Sequence, residues 1–208
     1  ARAIAIKEAA EERDTELAQL YYALADRQYA ARRDADAAAA WERALPLFDA
    51  ADPDGEQTVR TVTRLAWTYQ RLGDAPRRAA CWRRAAALRA TRPPPGWEHV
   101  LALEALAQAE IALGTPAAAE TALQQALALR RQYFPGTEAG TLVALAELSR
   151  TQHRLTTAAD CYRRAADCYA DLIRRTPDLA QRTELHTQRE ACLAQLRALD
   201  ALLAPNGP

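Results

Sequence analysis

The sequence predicts an all-α fold, a right-handed superhelical solenoid of helix-turn-helix hairpins closed by a capping helix at its C-terminal end. Three observations predict it. The alanines of Arg43-Ala44-Leu45, Arg84-Ala85-Ala86, Gln125-Ala126-Leu127 and Arg164-Ala165-Ala166 follow one another at steps of 41, 41 and 39 residues, and periods of about 20 to 50 residues mark stacked supersecondary units. A second landmark keeps the same steps through Leu24-Ala25, Leu65-Ala66, Leu106-Ala107 and Leu145-Ala146. Between the landmarks, apolar and small residues return every three or four positions and the breakers fall between such runs, which is the periodicity of helices and not of strands.

The elements follow in order. Arg2-Ala3-Ile4-Ala5-Ile6 lies 41 residues before Arg43-Ala44-Leu45-Pro46-Leu47 and shares its pattern, so residues 1–14 are expected to be the second helix of a truncated preceding repeat. Repeat 1 is placed at 15–56, repeat 2 at 57–97, repeat 3 at 98–137 and repeat 4 at 138–177, with first helices over 15–31, 57–72, 98–113 and 138–152. Gly73-Asp74-Ala75-Pro76 and Gly114-Thr115-Pro116 supply hairpin turns in which glycine ends one helix in the left-handed conformation and proline opens the next. Arg32-Arg33-Asp34 and His153-Arg154-Leu155 occupy the same places without glycine, and those turns are expected to be less sharply specified. Asp52-Pro53-Asp54-Gly55, Pro93-Pro94-Pro95-Gly96 and Pro135-Gly136 connect hairpins. Ala25, Ala66, Ala107 and Ala146 are the expected helix crossings, because helices approach within about 8 to 10 Å only over small side chains. Trp41, Trp82, Leu123 and Tyr162 recur with the repeat and are expected to fill the gap to the next hairpin. Leu185, Cys192, Leu196, Leu199 and Leu203 form a one-sided stripe, so residues 178–204 read as the capping helix and 205–208 as a tail.

Composition narrows the function classes. Half of the 208 residues are apolar, enough for a sizeable core, and 27 basic residues balance 27 acidic ones. No overall field therefore draws the chain to nucleic acid or to an anionic membrane. No long apolar run or signal peptide stands in the sequence, and it contains no methionine. A cytoplasmic segment of a larger protein is expected.

No catalytic constellation emerges, and no enzyme activity, cofactor or metal is expected. The sequence lacks a Gly-rich phosphate loop, a GxSxG elbow and an HExxH motif, and His99, His153 and His186 are scattered. Cys81, Cys161, Cys168 and Cys192 form no CxxC pair. Cys81 and Cys161 stand at the repeat position that Ala40 and Ala122 hold elsewhere, which reads as packing. One basic run stands out: Arg77, Arg78, Arg83, Arg84, Arg89 and Arg92, with no acidic residue between Asp74 and Glu98. It is the candidate patch for nucleic acid or an acidic partner.

The paired spacing Leu65-Ala66, Tyr69, Leu72-Gly73, Trp82, Ala85 resembles the tetratricopeptide repeat, and the longer period is similar to the form found in kinesin light chains. The resemblance covers nearly the whole chain. It implies a protein-protein interaction module whose first helices line a concave groove for a peptide or partner domain, with no membrane contact. By register, the groove face is Tyr22, Asp26 and Tyr29, then Arg60, Thr63, Trp67 and Gln70, then Glu104, Gln108 and Ile111, then Glu147 and Arg150. Tyr22, Tyr29 and Trp67 are the expected anchors, since aromatic side chains dominate interface energetics. The Lys and Asn clamp with which some relatives of this form grip a chaperone's C-terminal carboxylate is absent, as Tyr22, Asp26, Thr63 and Trp67 stand in its places. The resemblance further implies a docking region of a larger bacterial-type signalling, sensor or effector protein; the alternative is a nucleic-acid or acidic-partner binder using the arginine run.

Overall fold

The structure, a computed structural model, describes residues 2–91 and 94–204, with side-chain surroundings from residue 14 onward. The described residues form nine α-helices and no strand: α1 (Arg2–Ala30), α2 (Asp34–Ala51), α3 (Glu56–Leu72), α4 (Ala75–Ala90), α5 (Trp97–Ala112), α6 (Pro116–Tyr133), α7 (Ala139–Thr151), α8 (Leu155–Arg175) and α9 (Leu179–Leu203). Two compact units divide the chain after Gly114. In the first, α1 to α5 pack each against the next; in the second, α6 packs on α7, α7 on α8 and α8 on α9.

First-helix boundaries fall within one or two residues of the sequence expectation from repeat 2 onward. The N-terminal stretch differs. The break expected near residue 14 is absent, and α1 runs uninterrupted from Arg2 to Ala30. Neither Gly nor Pro occurs before Pro46, and Ala, Glu, Arg and Leu favour continuation.

The hairpin turns share one backbone solution. Gly73 (φ 72°) and Gly114 (φ 77°) are left-handed, and so are Arg32 (φ 60°) and His153 (φ 57°) at the corresponding positions. The turns without glycine are therefore as sharply formed as the others, a correction to the sequence expectation. Two hydrogen bonds close the turn: in the first hairpin Arg33 N donates to Gln28 O (2.9 Å) and Arg32 N to Tyr29 O (3.1 Å). Asp74 N to Tyr69 O (2.9 Å) and Arg154 N to Ser149 O (2.9 Å) repeat the first of the two. These are the bonds of the Schellman motif, which satisfy carbonyls left over at a helix end.

The crossing alanines Ala25, Ala66 and Ala107 in the first unit and Ala146 in the second are all buried, as are Trp41, Trp82, Leu123 and Tyr162. In the first unit, Trp41 packs against Tyr22 in a T-shaped contact and against Tyr29 in a tilted one, at centroid distances of 6.3 and 5.6 Å. The buried threonine hydroxyls of α3 are satisfied locally, Thr58 donating to Asp52 O, Thr61 to Gln57 O and Thr68 to Arg64 O. In the second unit, Cys192 and Leu199 of the α9 stripe are buried, Leu185 and Leu196 partly so, and Leu203 is exposed.

Polar contacts between successive hairpins of the first unit also keep the 41-residue step. The Tyr69 hydroxyl of α3 donates to Glu42 of α2. One repeat later, Arg83 of α4 donates to Glu110 of α5 at 2.5 Å, and Glu110 is buried. Residues 42 and 69 thus recur as 83 and 110 with the carboxylate moved to the other partner and an arginine in place of the tyrosine as donor.

Candidate peptide groove

The groove is built from α3, α4 and α5 of the first unit. Along α3, residues 60, 63, 67 and 70 share one side; along α5, residues 101, 104, 108 and 111 do the same, as i, i+3 and i+4 spacings require. Between the two rows lies a cavity of about 310 Å³ lined by Thr63, Trp67, Trp82, Leu101, Glu104 and Gln108, with Arg89 and Glu98 among the remaining walls. Its centre is aromatic. The Trp67 and Trp82 rings meet edge to face, centroids 5.2 Å apart and planes at 89°. Trp82 is buried, while Trp67 keeps 43% of its surface exposed. Leu101 and Ile111 are likewise exposed on this side, so the patch is apolar and open.

A second cavity of about 240 Å³ continues from the first, sharing Thr63, Trp67 and Arg89 and adding Tyr22, Arg60 and Arg64. Three of its six lining residues are arginines and none is acidic. Arg64 is hydrogen-bonded to Tyr22 and lies 3.6 Å from Asp26. Arg89 lies 3.6 Å from Glu56.

Thr63, Trp67, Glu104 and Gln108 thus come together in one cavity, with Tyr22 and Arg60 beside it. Asp26 reaches it only through Arg64. Gln70 and Ile111 are exposed farther along the same rows. Tyr29 is committed elsewhere, its ring between Trp41 and the Arg71 guanidinium, whose centre stands 4.1 Å from the ring centroid. Glu147 and Arg150 belong to the second unit and pair with each other at 2.8 Å, while Tyr162 also donates to Glu147. Burial disfavours the Glu147 charge, but the hydrogen bonds from Tyr162 and Arg150 outweigh it and hold the carboxyl below its ordinary range. Sequence reasoning missed Leu101, although it lies 41 residues after Arg60 and the same step yields it.

Four arginines of the run are tied to carboxylates, all but one of these distant in sequence. Arg84 pairs with Asp49, Arg83 with Glu110, Arg77 with Asp74 and Glu42 (3.4 and 3.7 Å), and Arg89 with Glu56. Arg78 is half-buried and its charge is disfavoured by burial; Arg92 lies outside the described residues. No group of three or more His, Cys, Asp or Glu among the described residues is placed to hold a metal ion, and none of the helices is long and apolar enough to cross a membrane.

No protein-family model matches the sequence, and no curated protein is significantly similar to it. Solved structures do match. A Podosopora anserina putative kinesin light chain with nearly identical TPR-like repeats superposes with a TM-score of 0.63 at 18% identity, over 93% of this chain and 99% of that one. The fold is that of tetratricopeptide-like repeats. The MamA protein shares it, with a TM-score of 0.59 at 20% identity over 88% of this chain and 90% of that one. So does a Rap protein complexed with Competence and Sporulation Factor, with a TM-score of 0.55 at 16% identity over 91% of this chain and 56% of that one. The tetratricopeptide-like hairpins thus account for the helix order and the recurring turns.

Proposed function

We propose that the first unit holds a segment of another protein in the groove between α3 and α5, with Trp67 as the anchor. Trp67 carries the reading: a large aromatic side chain, fixed by a T-shaped contact with Trp82 yet 43% exposed over a cavity, is the kind of residue that dominates interface energy. The neighbouring arginines place acidic side chains of the bound segment toward Tyr22 and Arg60. The Rap protein with its bound factor supports ligand binding as a use of this fold. The wider setting is a docking region of a larger signalling, sensor or effector protein of bacterial type, working in the cytoplasm. The nucleic-acid reading loses support, because Arg77, Arg83, Arg84 and Arg89 of the run are paired with carboxylates within the first unit.

Selection of a displayed random-peptide library on the folded chain tests the proposal. Binders are expected, with affinity falling about thirtyfold or more for Trp67→Ala, the loss of a hot spot of about 2 kcal/mol. Binders that tolerate both Trp67→Ala and Leu101→Asp would refute it. A salt titration separates the two readings, since phosphate binding weakens steeply with salt.

A further inference from the structure

The two walls of the groove carry opposite charge, although the chain as a whole is neutral. α3 holds Arg60, Arg64 and Arg71 against one acidic residue, Glu56. α5 holds Glu98, Glu104 and Glu110 and neither Lys nor Arg. Two of these charges serve the packing of the unit: Arg71 pairs with Asp34 at 2.6 Å, and buried Glu110 accepts from Arg83. Arg60, Arg64, Glu98 and Glu104 line the cavities instead.

Their distribution is ordered. Arg60 and Arg64 border the smaller cavity and not the larger, and Glu98 and Glu104 border the larger and not the smaller. Thr63, Trp67 and Arg89 form the wall that the cavities share, and Glu56 at 3.6 Å offsets the Arg89 charge. The aromatic centre therefore stands between a basic end and an acidic end. Such a field selects among ligands. A segment acidic throughout would set carboxylates against Glu98 and Glu104, and one basic throughout would set ammonium groups against Arg60 and Arg64. A matched ion pair at an exposed rim strengthens binding up to about fivefold, and like charges brought together reject the wrong partner.

Taking Trp67 as the anchor proposed above, we infer that the groove is specific for a protein segment of mixed charge: a large apolar residue seated against Trp67, acidic residues on the flank over Arg60 and Arg64, and basic residues on the flank over Glu98 and Glu104. The apolar residue supplies affinity through the cavity between Trp67, Trp82 and Leu101. The two flanks supply the choice of partner and fix the direction in which the segment crosses from α3 to α5.

Charge reversal on both sides of the contact tests this. Binders selected from a displayed random-peptide library on the full chain, and weakened by Trp67→Ala, should carry acids on one flank of their apolar residue and bases on the other. Arg60→Glu/Arg64→Glu should weaken such a binder about tenfold or more, and replacing the acids of the peptide by lysines should recover the loss. Glu98→Lys/Glu104→Lys should act in the same way on the other flank, with recovery when the bases of the peptide become aspartates. Should either pair fail to fold, the exposed single variants Arg60→Glu and Glu98→Lys serve in its place, each with a loss of about fivefold. Trp67-dependent binders with acids on both flanks, bases on both flanks or no charge preference would overturn the inference and leave the groove itself standing. A mixed binder indifferent to these reversals would do the same. The absence of any Trp67-dependent binder would overturn both the inference and the groove.

Discussion

Replacing Trp67 by alanine separates what this ring does for the fold from what it does for a partner. Just over half of its surface is buried. A tryptophan that packs fully buries up to about 250 Å², so roughly 130 Å² is at stake, and at about 25 cal/mol per Å² its loss costs about 3 kcal/mol. The edge-to-face contact with Trp82 contributes about 1 kcal/mol beyond area. All four tryptophans, Trp41, Trp67, Trp82 and Trp97, lie in the first unit, so their fluorescence in a urea titration follows that unit alone. Trp67→Ala should lower its unfolding free energy by about 4 kcal/mol and Trp82→Ala, which removes a buried ring, by up to about 5 kcal/mol. The double variant should fall short of the sum by about 1 kcal/mol. A loss below about 1 kcal/mol for Trp67→Ala, or strict additivity with Trp82→Ala, would show that the ring does not pack as described. The same titration sets the conditions under which the folded variant is assayed for peptide binding.

Three further outcomes are expected. Arg32→Gly and His153→Gly should each raise stability by about 0.5 to 1 kcal/mol, because a side chain at positive φ is strained and glycine is not; a chemical-denaturation midpoint that moves down in both would contradict this. Cys81, whose thiol is pushed up to about 11 by burial, with the nearby Glu42 and Asp74 acting the same way against Arg84, should be alkylated by iodoacetamide at pH 8 about two orders of magnitude more slowly than an ordinary exposed thiol. Mass spectrometry of the modified residue at timed intervals reads the rate. His99 is held below its ordinary value by burial and by the Arg89 charge, so its contribution to stability is present above about pH 6.5 and declines as the pH falls through the folded value. Denaturation midpoints at pH 7.5 and 5.5 should converge for His99→Gln relative to the unsubstituted chain.

Much of this was legible because the repeat carries position as well as composition. Once Ala25, Ala66, Ala107 and Ala146 are placed as crossings, the steps of 41 and 39 residues fix which residues share a face, and Thr63, Trp67, Glu104 and Gln108 follow. What failed to appear in the sequence were long-range partners. Arginines at 77, 83, 84 and 89 read as a free basic patch because their carboxylates lie at 42, 49, 56 and 110, on neighbouring helices. Tyr29 reads as a groove residue by register, yet Arg71 and Trp41 enclose it. Similarity between residues 2–6 and 43–47 suggested a separate helix, but a pattern of side chains cannot end a helix where no breaker or cap interrupts the backbone.

The left-handed residue that closes each hairpin has an evolutionary consequence. The turn requires a dihedral angle, and only indirectly a particular amino acid, so an arginine or a histidine can hold the post at a cost of about 1 to 2 kcal/mol that the packed hairpin absorbs. Each turn can therefore lose its glycine independently of the others without changing the geometry passed to the next hairpin. Mutation is then free to place a charge at one tip, a titratable ring at another and nothing at the remaining two. An array of similar hairpins can in this way acquire turns that differ chemically from one repeat to the next while each keeps the same backbone geometry.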